Sequence, residues 1–235
     1  MSTQQLVLRH GRLELPVCFA AADAISPDAF LSDGESELLK GFQFAAKREG
    51  FLLGRLAAKR ALGALLGEAD LRRIEIHPGI YGQPLVRHPR ADSVQVTVSH
   101  SHGLAVALAF PAAYPMGIDL ETLSAISAPA ILGELQASPA ELTWLATGGV
   151  DPATACGVLW TAREALGKAL KIGLNSPLGI LALADIQGAG EQAWSGRYLR
   201  FPQCRFQSQA TGDRVLTLAM PGEAQLSGKL QWKGD

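Results

Sequence analysis

Trp160-Thr161-Ala162-Arg163-Glu164-Ala165-Leu166-Gly167-Lys168 reads as the middle of a helix whose two ends are both marked in the chain. Asp151 is placed to cap the first free backbone N–H groups, and Pro152 suits the first helical position with its fixed φ. Gly173 can close the other end in a left-handed conformation. The expected span is 152–171. Ala155, Leu159, Ala162, Leu166 and Ala169 or Leu170 recur at steps of four and three, which gives one apolar stripe facing a core. Glu164 is two residues from Ala162, about 200° around the helix, so with Trp160 and Lys168 it belongs to another face. One reading of that face is solvated surface carrying a single Glu-to-Lys pair worth roughly 0.2–0.5 kcal/mol. The other is a face against which something packs. Trp160 is large for a solvated position, and Gly167 costs about 1 kcal/mol relative to Ala inside a helix.

Upstream, Gly117-Ile118-Asp119-Leu120-Glu121 is an extended segment that throws Asp119 and Glu121 to one side and Ile118 and Leu120 to the other. Two adjacent carboxylates are either solvated or share a cation. Oxygen-only donors suit a hard ion such as Mg²⁺. Val94–Val98 alternates with period two and runs into Ser99-His100-Ser101-His102, with a second apolar run at 103–110 completing a hairpin. His100 and His102 point the same way in a strand, but no third histidine or thiolate cluster supports zinc, and no GxSxG elbow supports a serine hydrolase. His100 is therefore either structural or a ligand contact.

A second long helix is expected over 46–66, ending at Gly67. Arg48, Arg55 and Lys59 fall at spacings of seven and four, so they can share one face. That row is either solvated surface or a place for phosphates. Ser32 with Glu35, and Ser138-Pro139-Ala140-Glu141, read as helix starts. Strands are expected at 74–77, 178–186, 194–206 and 214–219, with a turn at Tyr81-Gly82-Gln83-Pro84 and a peripheral tail from Pro221. No sequence repeat stands out.

Composition sets the frame for these motifs. The 235 residues carry 48% hydrophobic and 18% charged side chains with a formal charge of -1, which favours a globular chain and gives no global basic field for nucleic acid. Cys18, Cys156 and Cys204 are too few and scattered for a disulfide framework, so reduced cysteines in a cytoplasmic protein are expected. Glu14 and Pro16 interrupt the apolar run at 13–22, and no stretch reaches the roughly 18 apolar residues of a membrane span. The expected lobes are 1–113 and 114–235.

Taken in order, Gly82-Gln83-Pro84, Ser99-His100-Ser101, Gly117 to Glu121 and Trp160 to Lys168 resemble the phosphopantetheinyl transferase superfamily, in its two-lobed single-chain branch. Phe51-Leu-Leu-Gly-Arg55 and Lys171-Ile-Gly-Leu174 also look like the family. The resemblance spans residues 32–186. Two positions depart from the family pattern: Arg163 stands for the lysine before the motif glutamate, and Gln83 for the lysine of a G-K-P turn. Arg and Lys are not equivalent where geometry matters, so altered phosphate contacts are expected.

The resemblance implies an α+β fold of two similar lobes, each a small sheet on a long helix, related by pseudo-twofold symmetry with coenzyme A in the cleft. It implies transfer of the 4'-phosphopantetheine arm of coenzyme A to a serine of an apo acyl or peptidyl carrier protein, releasing adenosine 3',5'-bisphosphate, by a cytoplasmic monomer. Asp119, Glu121 and Glu164 are then the Mg²⁺ ligands. Glu164 is the candidate base, with Glu141 and Glu134 as other acids, and Lys168 orients Glu164 and offsets phosphate charge. Ser99, His100, Gln83, Arg48, Arg55 and Lys168 are the coenzyme A contacts. A non-catalytic module binding coenzyme A or a carrier protein is the alternative, and a metal-dependent phosphoesterase a third reading.

Overall fold

The computed structural model describes residues 3–25, 30–126, 128–173 and 176–232; Leu174, the end of one motif, lies outside the described residues. The chain folds as two compact units, Met1–Pro115 with Ala224–Asp235, and Met116–Glu223.

The first unit begins with the antiparallel strands β1 (Gln4–His10) and β2 (Leu13–Ala22). Helices α1 (Asp33–Lys40) and α2 (Ala45–Leu66) follow, then the hairpin β3 (Glu75–Pro78) and β4 (Pro84–Arg87). A second hairpin, β5 (Val94–Ser101) and β6 (Leu104–Pro111), completes the sheet. Helix α2 lies across β6, β2 and β5. Its small buried residues, Ala57, Ala58 and Ala61, meet Ala20, Ala105 and Ala107 of the sheet. Small side chains on both surfaces let helix and sheet approach closely and still exclude water. The helix ends where the sequence marks it, at Gly67 in the left-handed region.

The second unit opens on β7 (Gly117–Thr122), followed by α3 (Ala128–Leu135), α4 (Pro139–Thr147) and α5 (Pro152–Ala169). Strands β8 (Gln187–Gly190), β9 (Ala193–Arg197), β10 (Cys204–Thr211) and β11 (Arg214–Pro221) complete a sheet ordered β7-β11-β10-β9-β8. Helix α5 packs on β7, β11 and β10. Its apolar stripe is buried as expected, with Leu159, Ala162 and Leu166 fully inaccessible. Asp151 Oδ1 accepts from the Thr154 amide at 3.0 Å, and Lys171 and Gly173 both take positive φ at the far end.

The two units repeat one plan that is invisible as sequence identity. In each, a strand leads to a short capped helix, a long helix and an antiparallel hairpin whose second strand lies beside the first strand. The details match closely. Ser32 and Glu35 form a capping box, as do Ser138 and Glu141. Each glutamate is buried and accepts a distant amide, Ile76 at 3.2 Å for Glu35 and Leu183 at 2.9 Å for Glu141. Each also pairs with a buried cation of its long helix, Lys59 for Glu35 and Arg163 for Glu141. Five residues after Gly63 and Gly167, Glu68 and Ile172 return their amides to those glycine carbonyls at 2.9 and 3.0 Å.

These cations hold loops as well as carboxylates. Lys59 donates to the carbonyls of Phe30 and Leu71. Arg163 donates to Leu178, Leu159 and Leu135. A buried ion pair is tolerated when its remaining hydrogen-bonding capacity is satisfied in this way.

The expected strand at 194–206 is two antiparallel strands, β9 and β10, and three other expectations change. The tail from Pro221 is not peripheral: β12 (Gln225–Leu226) pairs with β1, Ser227 bonds Val7, and Trp232 is buried. It covers the edge of β1, which would otherwise present unpaired backbone groups. The run 178–186 is a 3₁₀ turn, Leu178–Leu181, and then a single bridge from Leu183 to Tyr198. Pro177 initiates the turn, and the buried Leu181 and Leu183 anchor it, while Arg163 and Glu141 take its backbone groups. The row Arg48, Arg55, Lys59 is not one solvated face, because Lys59 is buried. No helix among the described residues is long and apolar enough to cross a membrane.

Candidate active site

The site in the second unit is built where β7 crosses α5, and Gly117 makes the crossing possible. A Cβ at that position would overlap the carbonyl of Ala165 and crowd the amide of Ala169, so only glycine lets the strand lie directly on the helix backbone. Two residues along β7, Asp119 is buried against the helix, and Glu121 is half-buried on the same side of the strand. From α5, Glu164 and Lys168 reach the same place one turn apart. Lys168 Nζ lies 2.6 Å from Asp119 Oδ1 and 3.8 Å from Glu164 Oε2.

Charge in this patch is unbalanced. Three carboxylates face one ammonium group, and Glu164 responds. Burial, then the Asp119 charge, raise its pKa to about 7; Lys168 opposes the rise and Glu121 adds to it. The group is thus poised to gain or lose a proton near neutrality. The donor set suits a hard cation, because each carboxylate supplies oxygen and a bound dication would relieve the repulsion that lifts Glu164. Among the described residues no three His, Cys, Asp or Glu side chains converge into a ready cage. Lys168 already provides the compensating charge at Asp119.

Arg163, next to Glu164 in sequence, faces away from this patch into the unit's interior. Neither it nor Glu141 is exposed. The expected change in phosphate contacts does not apply to it, because its guanidinium is fully engaged by Glu141 and three carbonyls. Glu141 is likewise removed as a candidate base: it is inaccessible, and it accepts from Ser138, Leu183 and Arg163. Glu134 is exposed on α3. Trp160 is half-buried against the second core, and Gly167 is crowded by the returning carbonyl of Gly173. What packs on that part of the helix is its own C-terminal turn.

The remaining candidates lie in the first unit. Ser99 is buried near the end of β5, and His100 beside it is exposed. The His100 ring rests on α2 at Gly50, where a Cβ would come within 2.8 Å of the imidazole. Gly50 therefore creates the shelf for the ring, a role that the sequence reading missed; the signal was a helix-interior glycine one turn before Gly54. His102 occupies the hairpin turn at φ 42°, so the two histidines do not form a strand-borne pair.

Arg48 is exposed at the start of α2. Arg55 is mostly buried: its Nε lies 3.3 Å from Glu35 Oε1, its Nη2 donates to the Ile76 carbonyl at 3.1 Å, and its guanidinium stacks on Phe51. Gln83 folds back over Gly79 and accepts from the Tyr81 amide at 2.9 Å, so its side chain closes its own turn.

Residues 115–219 match the model of the 4'-phosphopantetheinyl transferase superfamily. A holo-[acyl-carrier-protein] synthase from Exiguobacterium is 34% identical over 82 residues, a stretch covering 33% of this chain and 66% of that protein. Two solved structures are similar. One is a holo-(acyl-carrier-protein) synthase from Bacillus anthracis in complex with CoA (3',5'-ADP), with TM-score 0.36 and 22% identity, covering 46% of this chain and 97% of the other. The second, the Thermotoga maritima holo-[acyl-carrier-protein] synthase, has TM-score 0.33 and 20% identity, covering 43% and 67%.

Proposed function

From the match of residues 115–219 to the model of the 4'-phosphopantetheinyl transferase superfamily, we propose that this chain transfers the 4'-phosphopantetheine arm of coenzyme A to a serine hydroxyl of an apo acyl or peptidyl carrier protein. The observation that carries the reading is the meeting of Asp119, Glu121, Glu164 and Lys168 across the β7–α5 contact at Gly117. In the reaction the serine oxygen bonds to the pantetheine-bearing phosphorus of the pyrophosphate. The bond from that phosphorus to the bridging oxygen breaks, and adenosine 3',5'-bisphosphate leaves.

Glu164 takes the serine proton as general base. Lys168 holds Asp119 and Glu164 in place and offsets the charge of the incoming phosphates. Asp119, Glu121 and Glu164 would hold Mg²⁺, which when bound supplies charge neutralisation for the pyrophosphate and the leaving group. His100 on its Gly50 shelf, Ser99, Arg48 and Arg55 are assigned to coenzyme A, with Arg55 acting from its fixed place beside Glu35. Gln83 contributes through the shape of its turn. The protein acts as a cytoplasmic monomer in this reading.

The test is a mass-shift assay of the purified chain with coenzyme A, Mg²⁺ and a panel of apo carriers. At least one carrier gains the phosphopantetheine mass, and Glu164→Gln abolishes the gain without loss of fold. No labelling of any carrier, or equal labelling by the variant, rejects the mechanism. Calorimetric binding of coenzyme A without turnover would favour a non-catalytic module. That reading has less behind it once Arg163 is assigned to the fold, and it rests on Gln83 alone. Hydrolysis of coenzyme A without an acceptor would favour the phosphoesterase.

A further inference from the structure

Behind Asp119 a chain of three hydroxyls crosses the interface between α5 and the sheet. Ser208 on β10, Thr217 on β11 and Thr161 on α5 are all buried. Thr217 Oγ1 lies 2.7 Å from Ser208 Oγ and 2.6 Å from Thr161 Oγ1, and Thr161 Oγ1 lies 2.8 Å from the Gly157 carbonyl. Each hydroxyl has one proton, which fixes the direction of the chain. Thr161 donates to Gly157, Thr217 donates to Thr161, and Ser208 donates to Thr217.

The repeated plan of the two units shows that the fold itself does not require this chain. The hairpins close with the pairs Ser101–Leu104 and Thr211–Arg214, and the long helices are aligned by Lys59 and Arg163. Counting from these markers, Ser208, Thr217 and Thr161 correspond to Val98, Ala107 and Ala57 of the first unit. Asp119, which pairs across the sheet with Thr217, corresponds to Ala20, which pairs with Ala107. The same framework is therefore built with aliphatic residues where the carboxylates are missing. Hydroxyls replace them in the unit that carries the carboxylates.

The geometry explains what they do there. Thr217 stands directly across from Asp119. Thr161 lies on the sheet-facing side of α5, one turn before Glu164 and about 20° around the helix from Lys168. An aliphatic contact permits sliding and rotation of the helix on the sheet, whereas a hydrogen bond specifies one register. We propose that Thr217, held between Ser208 and Thr161, is a positioning residue that fixes the register of α5 at the level of Asp119 and so sets where Glu164 and Lys168 meet Asp119 and Glu121. What the positioned groups accomplish rests on the transferase reading; the positioning itself does not.

The experiment compares Thr217→Val, Thr217→Ser and Ile76→Val, the last as a thermal-stability control in the first unit, all in the full chain. The expected result is that Thr217→Val, while folded at the assay temperature, loses about tenfold or more in kcat and requires more Mg²⁺ for half-saturation. Thr217→Ser, which keeps the hydroxyl, recovers both. Ile76→Val loses Tm but changes neither.

A Thr217→Val protein that matches Ile76→Val in kcat and Mg²⁺ requirement overturns the inference. A second readout needs no turnover: the side-chain ammonium resonance of Lys168, read by ¹⁵N NMR without added metal. Its loss or displacement in Thr217→Val, with recovery in Thr217→Ser, supports positioning even if no carrier is ever labelled. An unchanged resonance overturns it whether or not the wild type is a transferase.

Discussion

Arg163 and Glu141 form an ion pair with Nη2 2.8 Å from Oε2, and neither side chain is exposed to solvent. A motif position expected to alter phosphate contacts is in fact the bolt joining α5 to the start of α4 and to the turn at Leu178–Leu181. Its counterpart, Lys59 with Glu35, joins α2 to the start of α1. Removing Arg163 strands the buried Glu141, whereas removing Lys59 leaves Glu35 with Arg55 at 3.3 Å. Arg163→Ala should cost about 3–5 kcal/mol, measured by urea denaturation, and Lys59→Ala less, because Arg55 still compensates Glu35. Arg163→Lys keeps the charge but forfeits the fork of carbonyl contacts, and should cost less than Arg163→Ala without changing the affinity for coenzyme A.

Two glycines give opposite outcomes under the same substitution. Gly117→Ala places a methyl group against the helix backbone, which cannot yield cheaply, so about 1–3 kcal/mol of stability is lost together with carrier labelling. Gly50→Ala meets only the His100 ring, a side chain that can swing aside. The substitution gains up to about 1 kcal/mol of helix propensity, offset by contact with the ring, while it displaces His100. Thermal melts together with calorimetry against coenzyme A should therefore show little loss of stability but weaker binding.

Proton linkage at Glu164 sets a pH dependence for the metal-free protein. Its folded pKa is raised to about 7 from an ordinary 4.5, so the folded state holds the proton more tightly than the unfolded chain. The contribution is fully present below the unfolded value and is lost as pH rises through about 7. Glu164→Gln, which mimics the protonated carboxyl, should raise Tm at pH 8 and leave it nearly unchanged at pH 4. Equal shifts at both pH values would contradict the assignment.

Lys168 opposes that rise, and its removal should expose the repulsion it screens. Lys168→Met should move the Glu164 titration further above neutrality, followed by ¹³C NMR of the carboxyl carbon, and should reduce carrier labelling. A downward shift would mean that Lys168 does not compensate these carboxylates.

Much of the fold could be read locally. Helix boundaries at Ser32, Gly67, Ser138 and Asp151 follow from capping, which involves neighbours within a turn. The pairing of Asp119 with Glu121 on one side of a strand, and of Glu164 with Lys168 along a helix, follows from backbone period alone. The sequence by itself thus determined the long helices, the caps at Asp151 and Gly67, and the four charged residues of the candidate site.

Tertiary structure decided what covers each face. Periodicity places Arg163 and Lys59 around a helix but says nothing of the glutamate that arrives from another helix to bury them. It likewise cannot set the strand register that puts Thr217 opposite Asp119, or bring residues 225–226 back to β1. These are contacts between distant segments, fixed only when packing makes one pairing satisfy every buried polar group. For that reason the repeated bolt and the hydroxyl chain emerge from the folded chain, not from its motifs.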